Sequence, residues 1–515
     1  MRFAGFLIAI SLGLGGCAAA PMRALDTPVT ALPAPETTPL WQTLVVPEEA
    51  AAGRSGFFFL ETGLDAYHLR LTAIEAATRT VDIQYYIWHF DGSGRAISEA
   101  LLRAADRGVR VRALVDGFHI DEAAAPLKRI ARHPNVEVRI YNAFRSSFRS
   151  NLRRYTELVF DFSRLNQRMH NKIVAVDNTL AIVGGRNVND AYFGLDADHY
   201  FLDRDVVVAG PLTRDISASF DAFWNDPHAV PARDFARDDA SSVNAGTVWA
   251  EAPDLTLDEF PLPRRIDGAA LAEKFNDLRG RFVWAPAMLA LTSPGPVFAE
   301  PAQLPVAEIE TVLLAQLGAA QEEVVVQMSY VMLTEPREAA LAEARARGVR
   351  MVLQTNSLAS TDSSIVHYGY ARDRRRFLRH DVALYELKNV PQNARGMAQL
   401  GIVPEKTTLH PKTLVFDRRY VFLGSFNLDH RSILYNSEIG ILIDSPLLAA
   451  RVLEAIAWDM APVNSWRVAL EPPRRLVWYD DDQTPPLRHD SEPNAGIMAQ
   501  ILTWIGYFLP IDHLL

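Results

Sequence analysis

The 515-residue chain contains a single cysteine, Cys17, which lies near the N-terminus. One thiol cannot form an intramolecular disulfide or a cysteine-rich zinc site, so both are excluded. The chain also lacks an excess of positive charge, because 52 Lys and Arg residues stand against 62 Asp and Glu residues. The net charge of −10 lacks the broad basic footprint of non-specific nucleic-acid binding. It disfavours a nucleic-acid partner, although a local basic pocket can exist within an acidic protein.

The chain is too long for one hydrophobic core, because single cores seldom grow beyond about 250–300 residues. Its composition, 49% hydrophobic and 22% charged, is that of an ordinary globular protein. Two domains are therefore the default expectation.

The N-terminus combines Arg2, an apolar run over residues 6–10 and the sequence Leu-Gly-Gly-Cys ending at Cys17. This pattern resembles a bacterial lipoprotein signal, which predicts a signal peptide over residues 1–17 and a lipid on Cys17. We therefore expect a membrane-associated, lipid-anchored protein facing the periplasm. A plain membrane segment or a disordered leader is the alternative. Residues 18–55 contain six prolines, which predicts an extended tether.

Two short stretches, 169–177 and 409–417, share the pattern H-x-K-x-x-x-x-D. Their histidines are 240 positions apart, and a small-residue turn carrying an asparagine follows each stretch at the same distance. The residues concerned are His170, Lys172, Asp177, Gly184, Gly185 and Asn187 in the first copy, and His410, Lys412, Asp417, Gly424, Ser425 and Asn427 in the second. Chance does not explain two such copies.

Strand geometry explains the spacing within each copy. Successive side chains of a strand alternate between its faces, so His170 and Lys172 point the same way. The apolar run 173–176 is typical of a strand buried on both faces. In the turns that follow, Gly185 and Ser425 would let backbone N–H groups approach a phosphate. Asp177 and Asp417 lie an odd number of residues from the histidines and near a turn, which favours structural hydrogen bonds over proton transfer.

The surroundings of the two copies repeat as well. Each half has the order strand, helix, strand, and 62 residues separate Gly108 from His170 and Gly348 from His410. An internal duplication explains this equality. The sequence therefore predicts an α/β fold of two pseudo-twofold related domains, each a mixed sheet flanked by helices, with the active site at their interface. The predicted domains cover residues 56–240 and 301–465.

The remaining segments receive simpler interpretations. Residues 241–300, rich in proline and acidic residues, are predicted to be a connector, and residues 466–515 a C-terminal tail. The tail ends in an apolar helix over residues 497–509, which at about 13 residues is too short to span a bilayer. It can lie in the lipid headgroup region or pack on the protein's own core.

The paired motifs with their trailing turns resemble the phospholipase D superfamily. Softer motifs are similar to the bacterial cardiolipin synthase C branch, and the resemblance covers nearly everything from about residue 56 onward. These motifs are residues 85–88, 161–166, 184–187, 367–372 and 509–511.

This resemblance implies a phosphatidyltransferase in which His170 is the nucleophile and His410 the general acid and base. It implies that Asp205 and Glu438 orient the histidines, although both can be ordinary surface or strand-end charges. Lys172 and Lys412 would offset charge on the phosphoryl oxygens, and Asn187 and Asn427 would add hydrogen bonds. No cofactor and no metal are expected.

Two further features, His367 and the basic run 372–379, each allow two interpretations. His367 lies in a branch-like stretch and can border the substrate pocket or be a packed histidine. The basic run 372–379 can be a solvated helix face or can meet anionic headgroups.

The expected substrates are phospholipids at a membrane surface, with phosphatidylglycerol as acceptor and that lipid or phosphatidylethanolamine as donor. No nucleic acid is expected, and a helper protein is left open. A phospholipase D-type hydrolase or a superfamily nuclease is the alternative within the enzymes. A non-catalytic lipid-binding lipoprotein is the alternative of another class.

Overall fold

The computed structural model describes residues 28–120, 123–144, 157, 160–234, 268–294, 308–391 and 403–506. Residues 1–27, which hold the predicted signal peptide and Cys17, lie outside these ranges, as do residues 507–515.

The described strands, in chain order, are β1 Ser55–Leu60, β2 Thr80–Tyr85, β3 Arg110–Asp116, β4 Val136–Tyr141, β5 Arg168–Met169, β6 Ile173–Val176, β7 Leu180–Gly184, β8 His199–Leu202, β9 Asp205–Ala209, β10 Ala229–Pro231, β11 Val283–Ala285, β12 Ala287–Leu291, β13 Glu323–Met328, β14 Arg350–Asn356, β15 Ala383–Leu387, β16 Lys406–Leu409, β17 Lys412–Phe416, β18 Tyr420–Gly424, β19 Asn436–Ser437, β20 Ile439–Asp444, β21 Ser465–Glu471, β22 Arg475–Asp480 and β23 Leu487–His489.

The described α-helices are α1 Pro39–Leu44, α2 Pro47–Ala51, α3 Gly63–Ala76, α4 Gly92–Asp106, α5 Ala124–Ile130, α6 Phe162–Asn166, α7 Asp190–Phe193, α8 Leu212–Trp224, α9 Gly268–Arg281, α10 Glu308–Ala319, α11 Glu335–Ala346, α12 Ser364–Arg379, α13 His430–Leu434, α14 Pro446–Asp459 and α15 Ile497–Gly506. Short 3-10 helices cover Pro35–Thr37 and Ala232–Asp234.

The strands form two large mixed sheets, one for each half of the chain. The first has the order β10-β4-β3-β2-β6-β7-β9-β1-β11 and the second the order β12-β20-β18-β17-β13-β14-β15-β21-β22-β23. Six strands correspond one to one, because β4-β3-β2-β6-β7-β9 repeats as β15-β14-β13-β17-β18-β20. The predicted α/β fold of two related domains is therefore confirmed.

The central strands are buried on both faces, as their apolar runs predict. In β6, Val174 and Val176 face the helix-covered core of the first lobe, whereas Ile173 and Ala175 face a core shared with the second lobe. Val415 of β17 reaches the same shared core from the other side. The two sheets therefore pack against one another, which fixes the position of one lobe relative to the other.

The predicted connector is wrong for its described part. Residues 268–281 form α9, and β11 and β12 follow, separated only by Pro286. Strand β11 pairs with β1 at the edge of the first sheet, and β12 pairs with β20 in the second. A chain that passes from one sheet to the next within one residue ties the lobes together. Proline composition failed to show this because Pro286 lies between two strands.

The predicted extended tether is also wrong for residues 28–54. Leu40 and Leu44 of α1 are buried in the first core, and the Val29 N–H donates to Asn225 Oδ1 at 2.9 Å. Pro35, Pro39 and Pro47 occupy the first turns of short helices, where their missing N–H group costs no hydrogen bond.

The region after residue 465 adds strands to the second sheet. Strand β21 pairs with β15, and β22 and β23 follow at the edge. The predicted apolar helix is present as α15, packed on α12. In the part of the chain that the structure describes, no helix has both the length and the hydropathy needed to cross a membrane.

Candidate active site

Both motif histidines follow short strands that cross between the lobes. Strand β5 pairs in parallel with β19 of the second lobe, and β16 pairs in parallel with β8 of the first. The crossing continues into the motifs, because the His170 N–H donates to the Ser437 carbonyl at 2.9 Å and the His410 N–H to the Leu202 carbonyl at 2.7 Å. The backbone thus brings both histidines to the seam between the lobes.

Each histidine is held by a carboxylate of the opposite lobe. Nδ1 of His170 lies 2.8 Å from Oε2 of Glu438, and Nδ1 of His410 lies 2.6 Å from Oδ2 of Asp203. An ionised carboxylate only accepts hydrogen bonds, so Nδ1 carries the proton of each neutral imidazole. Nε2 of each ring is left with the lone pair that a nucleophile or a general base needs.

The prediction that Asp205 orients a histidine is wrong. Its Oδ2 lies 2.9 Å from a guanidinium nitrogen of Arg70 and 2.9 Å from one of Arg186, and all three side chains are buried. Asp205 is the first residue of β9, so the sheet holds its side chain inside the first lobe. Asp203 lies in the turn between β8 and β9, next to the crossing strand, and reaches His410 from there. The spacing of Asp203 and Asp205, which flank Arg204, does not show which of the two aspartates faces the partner lobe.

The small-residue turns support the two carboxylates. A Cβ atom at Gly185 would lie 2.5 Å from the carboxylate oxygens of Asp203, so only glycine leaves that side chain room. Ser425 Oγ donates to Oε2 of Glu438 at 2.5 Å. The backbone N–H groups of Gly185 and Ser425 donate to the carbonyls of Arg204 and Ile439 instead of facing a ligand. The predicted approach of these N–H groups to a phosphate is therefore wrong.

The two carboxylates differ in proton affinity. Burial raises the pKa of Glu438 to about 7, against the opposing effect of Lys172. Glu438 also accepts from the hydroxyl of Ser432 at 3.0 Å and the amide of Asn436 at 3.3 Å. Burial acts in the same direction on Asp203, but its interactions with His410 outweigh it, so the pKa of Asp203 is lowered. The carboxylate of Asp203 is thus firmly ionised, whereas Glu438 titrates near neutrality.

Both motif lysines are buried beside their histidines. Nζ of Lys172 donates to the His170 carbonyl at 2.5 Å and lies 5.6 Å from the ring centre of Tyr86. Nζ of Lys412 donates to the His410 carbonyl at 2.6 Å and to Ser329 Oγ at 2.7 Å.

Burial sets the charge state of these lysines. It lowers the pKa of Lys172 to about 7 and that of Lys412 to about 8. Tyr86 and Ser329, which contact them, follow the equivalent strands β2 and β13. The motif spacing gave no signal for either contact.

The histidines are neutral at neutral pH. Burial first, and then the charges of Lys172 and Lys412, hold the pKa of His170 well below its usual value. Burial and Lys412 lower the pKa of His410, while Asp203 opposes them. A neutral imidazole suits a nucleophile, and the carboxylate of Asp203 favours the protonated form of His410.

The two asparagines of the small-residue turns contact the protein. Asn187 accepts from the Ile87 N–H at 3.2 Å and donates to the Tyr192 hydroxyl at 3.1 Å. That hydroxyl lies 3.4 Å from Nε2 of His410. Asn427 accepts from Ser329 Oγ at 3.0 Å. The asparagines thus organise Tyr192 and Ser329, the neighbours of His410 and Lys412, and their predicted hydrogen bonds to substrate remain predictions.

The two motif aspartates lie at the far end of their strands. At about 3.3 Å per residue, seven residues place Asp177 roughly 20 Å from His170. Asp177 accepts from the backbone N–H groups of residues 78–80, and Asp417 from those of residues 321–323. They fix the start of β2 and β13, in line with the structural role that the sequence favours.

His367 contacts Arg374 and Tyr370 of its own helix. It is buried in α12, where Nε2 lies 3.2 Å from a guanidinium nitrogen of Arg374. Arg374 also binds Glu386 and Glu492. The basic run is therefore not one solvated face, because Arg374 is buried in this ion network.

The described residues hold no group of three or more His, Cys, Asp and Glu side chains arranged to bind a metal ion.

The sequence profile of a domain family described as "Cardiolipin synthase, PLD-like domain" matches residues 71–224 and 313–460. Cardiolipin synthase C of Escherichia coli (strain K12) is 34% identical over 468 residues, which is 90% of this chain and 97% of that protein. Cardiolipin synthase A of Proteus mirabilis (strain HI4320) is 25% identical, over 76% of this chain and 66% of that protein.

Among solved structures, the phosphatidylserine synthase of Haemophilus influenzae Rd KW20 has a TM-score of 0.57. It is 12% identical and covers 92% of this chain and 96% of its own. That similarity supports the fold alone. The duplicated motifs, the matched profile and the 34% identity to cardiolipin synthase C together show the family. The chain belongs to the phospholipase D superfamily, in its cardiolipin synthase C branch, and is a phosphatidyltransferase of that superfamily.

Proposed function

We propose that the protein makes cardiolipin by moving a phosphatidyl group onto phosphatidylglycerol. The donor is a second phosphatidylglycerol or phosphatidylethanolamine. The observation that carries the proposal is the pair of crossed contacts, His170 with Glu438 and His410 with Asp203. They present two neutral imidazoles to one seam, which is the arrangement that a two-step displacement at phosphorus requires.

In the first step Nε2 of His170 attacks the phosphorus of the donor. A phosphorus–nitrogen bond forms, and the bond to the headgroup oxygen breaks. His410, protonated on Nε2, gives that proton to the departing alkoxide. The negative charge of a bound phosphodiester favours the protonated form of His410. This effect offsets the lowering of the His410 pKa by burial and Lys412.

In the second step a hydroxyl of the acceptor phosphatidylglycerol loses its proton to Nε2 of His410 and attacks the phosphorus. The phosphorus–nitrogen bond to His170 breaks, and both imidazoles return to their starting forms. Lys172 and Lys412 stabilise the charge that spreads over the phosphoryl oxygens in both steps.

The assignment of His170 as nucleophile follows the family resemblance. Burial and the charges of Lys172 and Lys412 lower the pKa of His170, which keeps its imidazole neutral, as a nucleophile requires. Asp203 favours the protonated form of His410 against the effect of burial, which suits a general acid. Sequence symmetry alone gives no preference between the two histidines.

In this proposal the protein works at a membrane surface, where a lipid on Cys17 anchors it facing the periplasm. Phospholipid substrates with two acyl chains are found at such a surface. The lipobox-like sequence supports the anchor.

Product identification tests the proposal. Purified protein is incubated with labelled phosphatidylglycerol, with and without phosphatidylethanolamine, and the lipids are separated. Cardiolipin is the expected product. Phosphatidic acid as the main product would identify a hydrolase instead. Intact substrate in every mixture would indicate a non-catalytic lipid-binding protein. Degradation of an oligonucleotide in a parallel mixture would support the nuclease.

A further inference from the structure

Helix α15 has an unusual distribution of polar and apolar residues. Its Thr503 and Gly506 face the protein, since Thr503 Oγ1 donates to the Ser364 carbonyl at 3.1 Å and Gly506 packs against the ring of Tyr368. Its large apolar side chains point outward, with Ile497 78% exposed and Met498 67% exposed. A helix that only completed the core would show the opposite pattern.

The outward residues form one continuous arc. At 100° per residue, the spacing of the helix places them within about a third of its circumference. They are Ile497, Met498, Ile501, Trp504 and Ile505, and α15 carries no charged residue. A contiguous apolar surface on a soluble lobe marks an interaction site.

A row of arginines on α12 continues past the C-terminal end of α15, because Thr503 and Gly506 contact Ser364 and Tyr368 at the beginning of α12. The spacing of three and four residues puts Ile365, Tyr368, Arg372, Arg375 and Arg379 on one side of that helix. Helix α15 covers Tyr368, at the beginning of the row. Arg375 and Arg379, at its end, are exposed. Glu492, an acidic residue shortly before α15, is bound to Arg374.

We infer that residues 497–505 of α15, together with Arg372, Arg375 and Arg379 of α12, form a docking face that binds the surface of an anionic phospholipid bilayer. An apolar arc followed by a cationic row is the arrangement by which a helix inserts its side chains below the headgroups while arginines meet the phosphates. The charge complementarity favours anionic lipid over a second copy of this acidic chain, whose net charge is −10. The inference rests on the proposed function in one respect: the proposed substrate, phosphatidylglycerol, is itself an anionic lipid of the surface that the docking face binds.

Vesicle binding tests the docking face without requiring catalysis. The probes are vesicles of phosphatidylglycerol mixed with phosphatidylcholine, and vesicles of phosphatidylcholine alone. The full chain carries Cys17→Ser throughout, so that no lipid anchor contributes. The test variant is Met498→Glu with Ile501→Glu, and the control is Leu447→Glu, an exposed leucine at the start of α14.

We expect the double variant to weaken binding to the mixed vesicles by at least about tenfold, whereas the control binds as the parent does. Arg375→Glu with Arg379→Glu should remove the preference for vesicles that contain phosphatidylglycerol. Unchanged vesicle binding in the α15 variant would overturn the inference, as would a dimer in solution that this variant dissociates.

Turnover separates this inference from the proposed function. With water-soluble short-chain phosphatidylglycerol, the α15 variant should keep the parent's rate, while its rate on vesicles falls. An inactive parent that still binds vesicles through α15 would contradict the proposed function and leave the docking face standing. Equal rates of variant and parent on vesicles would count against the docking face alone.

Discussion

Oε2 of Glu438 lies 2.8 Å from Nδ1 of His170, although the two residues belong to different lobes and are 268 positions apart in sequence. Asp203 and His410 make the reciprocal contact across the same seam. Neither lobe alone orients its histidine, so the candidate site is complete only when both lobes are present. This explains why the sheets share a core and why β5 and β8 pair with strands of the other lobe.

The crossed carboxylates make the first prediction. Glu438→Gln and Asp203→Asn should each lower kcat by about 10²- to 10⁴-fold, because a carboxamide can donate to Nδ1 and move the ring proton to Nε2. The measurement is cardiolipin formation under saturating lipid. A variant of either residue with more than half of the parental kcat would contradict the orienting role.

The second prediction separates Asp205 from Asp203. Asp205→Asn should lower the free energy of unfolding by about 3–5 kcal/mol, because it leaves Arg70 and Arg186 buried with a neutral partner. Asp203→Asn should cost less stability and more activity. Urea denaturation followed by tryptophan fluorescence measures the difference. Equal midpoints for Asp205→Asn and the parent would show that this ion cluster does not stabilise the first lobe.

The third prediction concerns pH. Glu438 has a raised pKa of about 7, so protonation below that pH removes the acceptor of His170. Lys412 has a lowered pKa of about 8, so deprotonation above that pH removes its positive charge. Lys172, with a lowered pKa of about 7, loses its positive charge earlier than Lys412 as the pH rises. The rate should therefore be highest near pH 7, fall below it as Glu438 is protonated, and fall above it as the two lysines lose their charges. A profile of kcat/KM that stays flat from about pH 6 to about pH 9 would contradict this account.

The fourth prediction is that chelators leave the rate unchanged. Lys172 and Lys412 lie beside the histidines, and in the proposed mechanism they supply the positive charge for the phosphoryl oxygens. The measurement is cardiolipin formation before and after treatment with EDTA and gel filtration. Activity that is lost on treatment and restored by a divalent cation would show that the lysines are insufficient.

Much of the fold follows from the sequence. The burial of 173–176 on both faces and the strand–helix–strand order rest on local periodicity, and the duplication rests on the equal spacing of the two halves. The structure confirms all three. The predictions of a connector and a tether are wrong because proline content alone does not indicate an irregular chain. Pro286 separates two strands, and Pro39 and Pro47 begin helices, positions where proline is compatible with regular structure.

The site was only partly predictable. The histidines and lysines stand in a repeated motif, so their spacing reveals them. Asp203 is positioned by the pairing of β8 with β16 across 207 positions of sequence, which no local pattern encodes. Tyr192 and Ser329 contact the motif residues through the same long-range packing. The sequence identifies the histidines and lysines of the motifs, whereas the fold determines which residues orient them.

The most direct test of the two-histidine account is to trap the covalent intermediate. Parent, His170→Ala and His410→Ala are mixed with a phosphatidyl donor that carries a labelled phosphate and a good leaving group, quenched in alkaline denaturant and digested. The account predicts label on the peptide containing His170, accumulation in His410→Ala and none in His170→Ala. Label on the His410 peptide instead, or cardiolipin formed by His170→Ala, would contradict it.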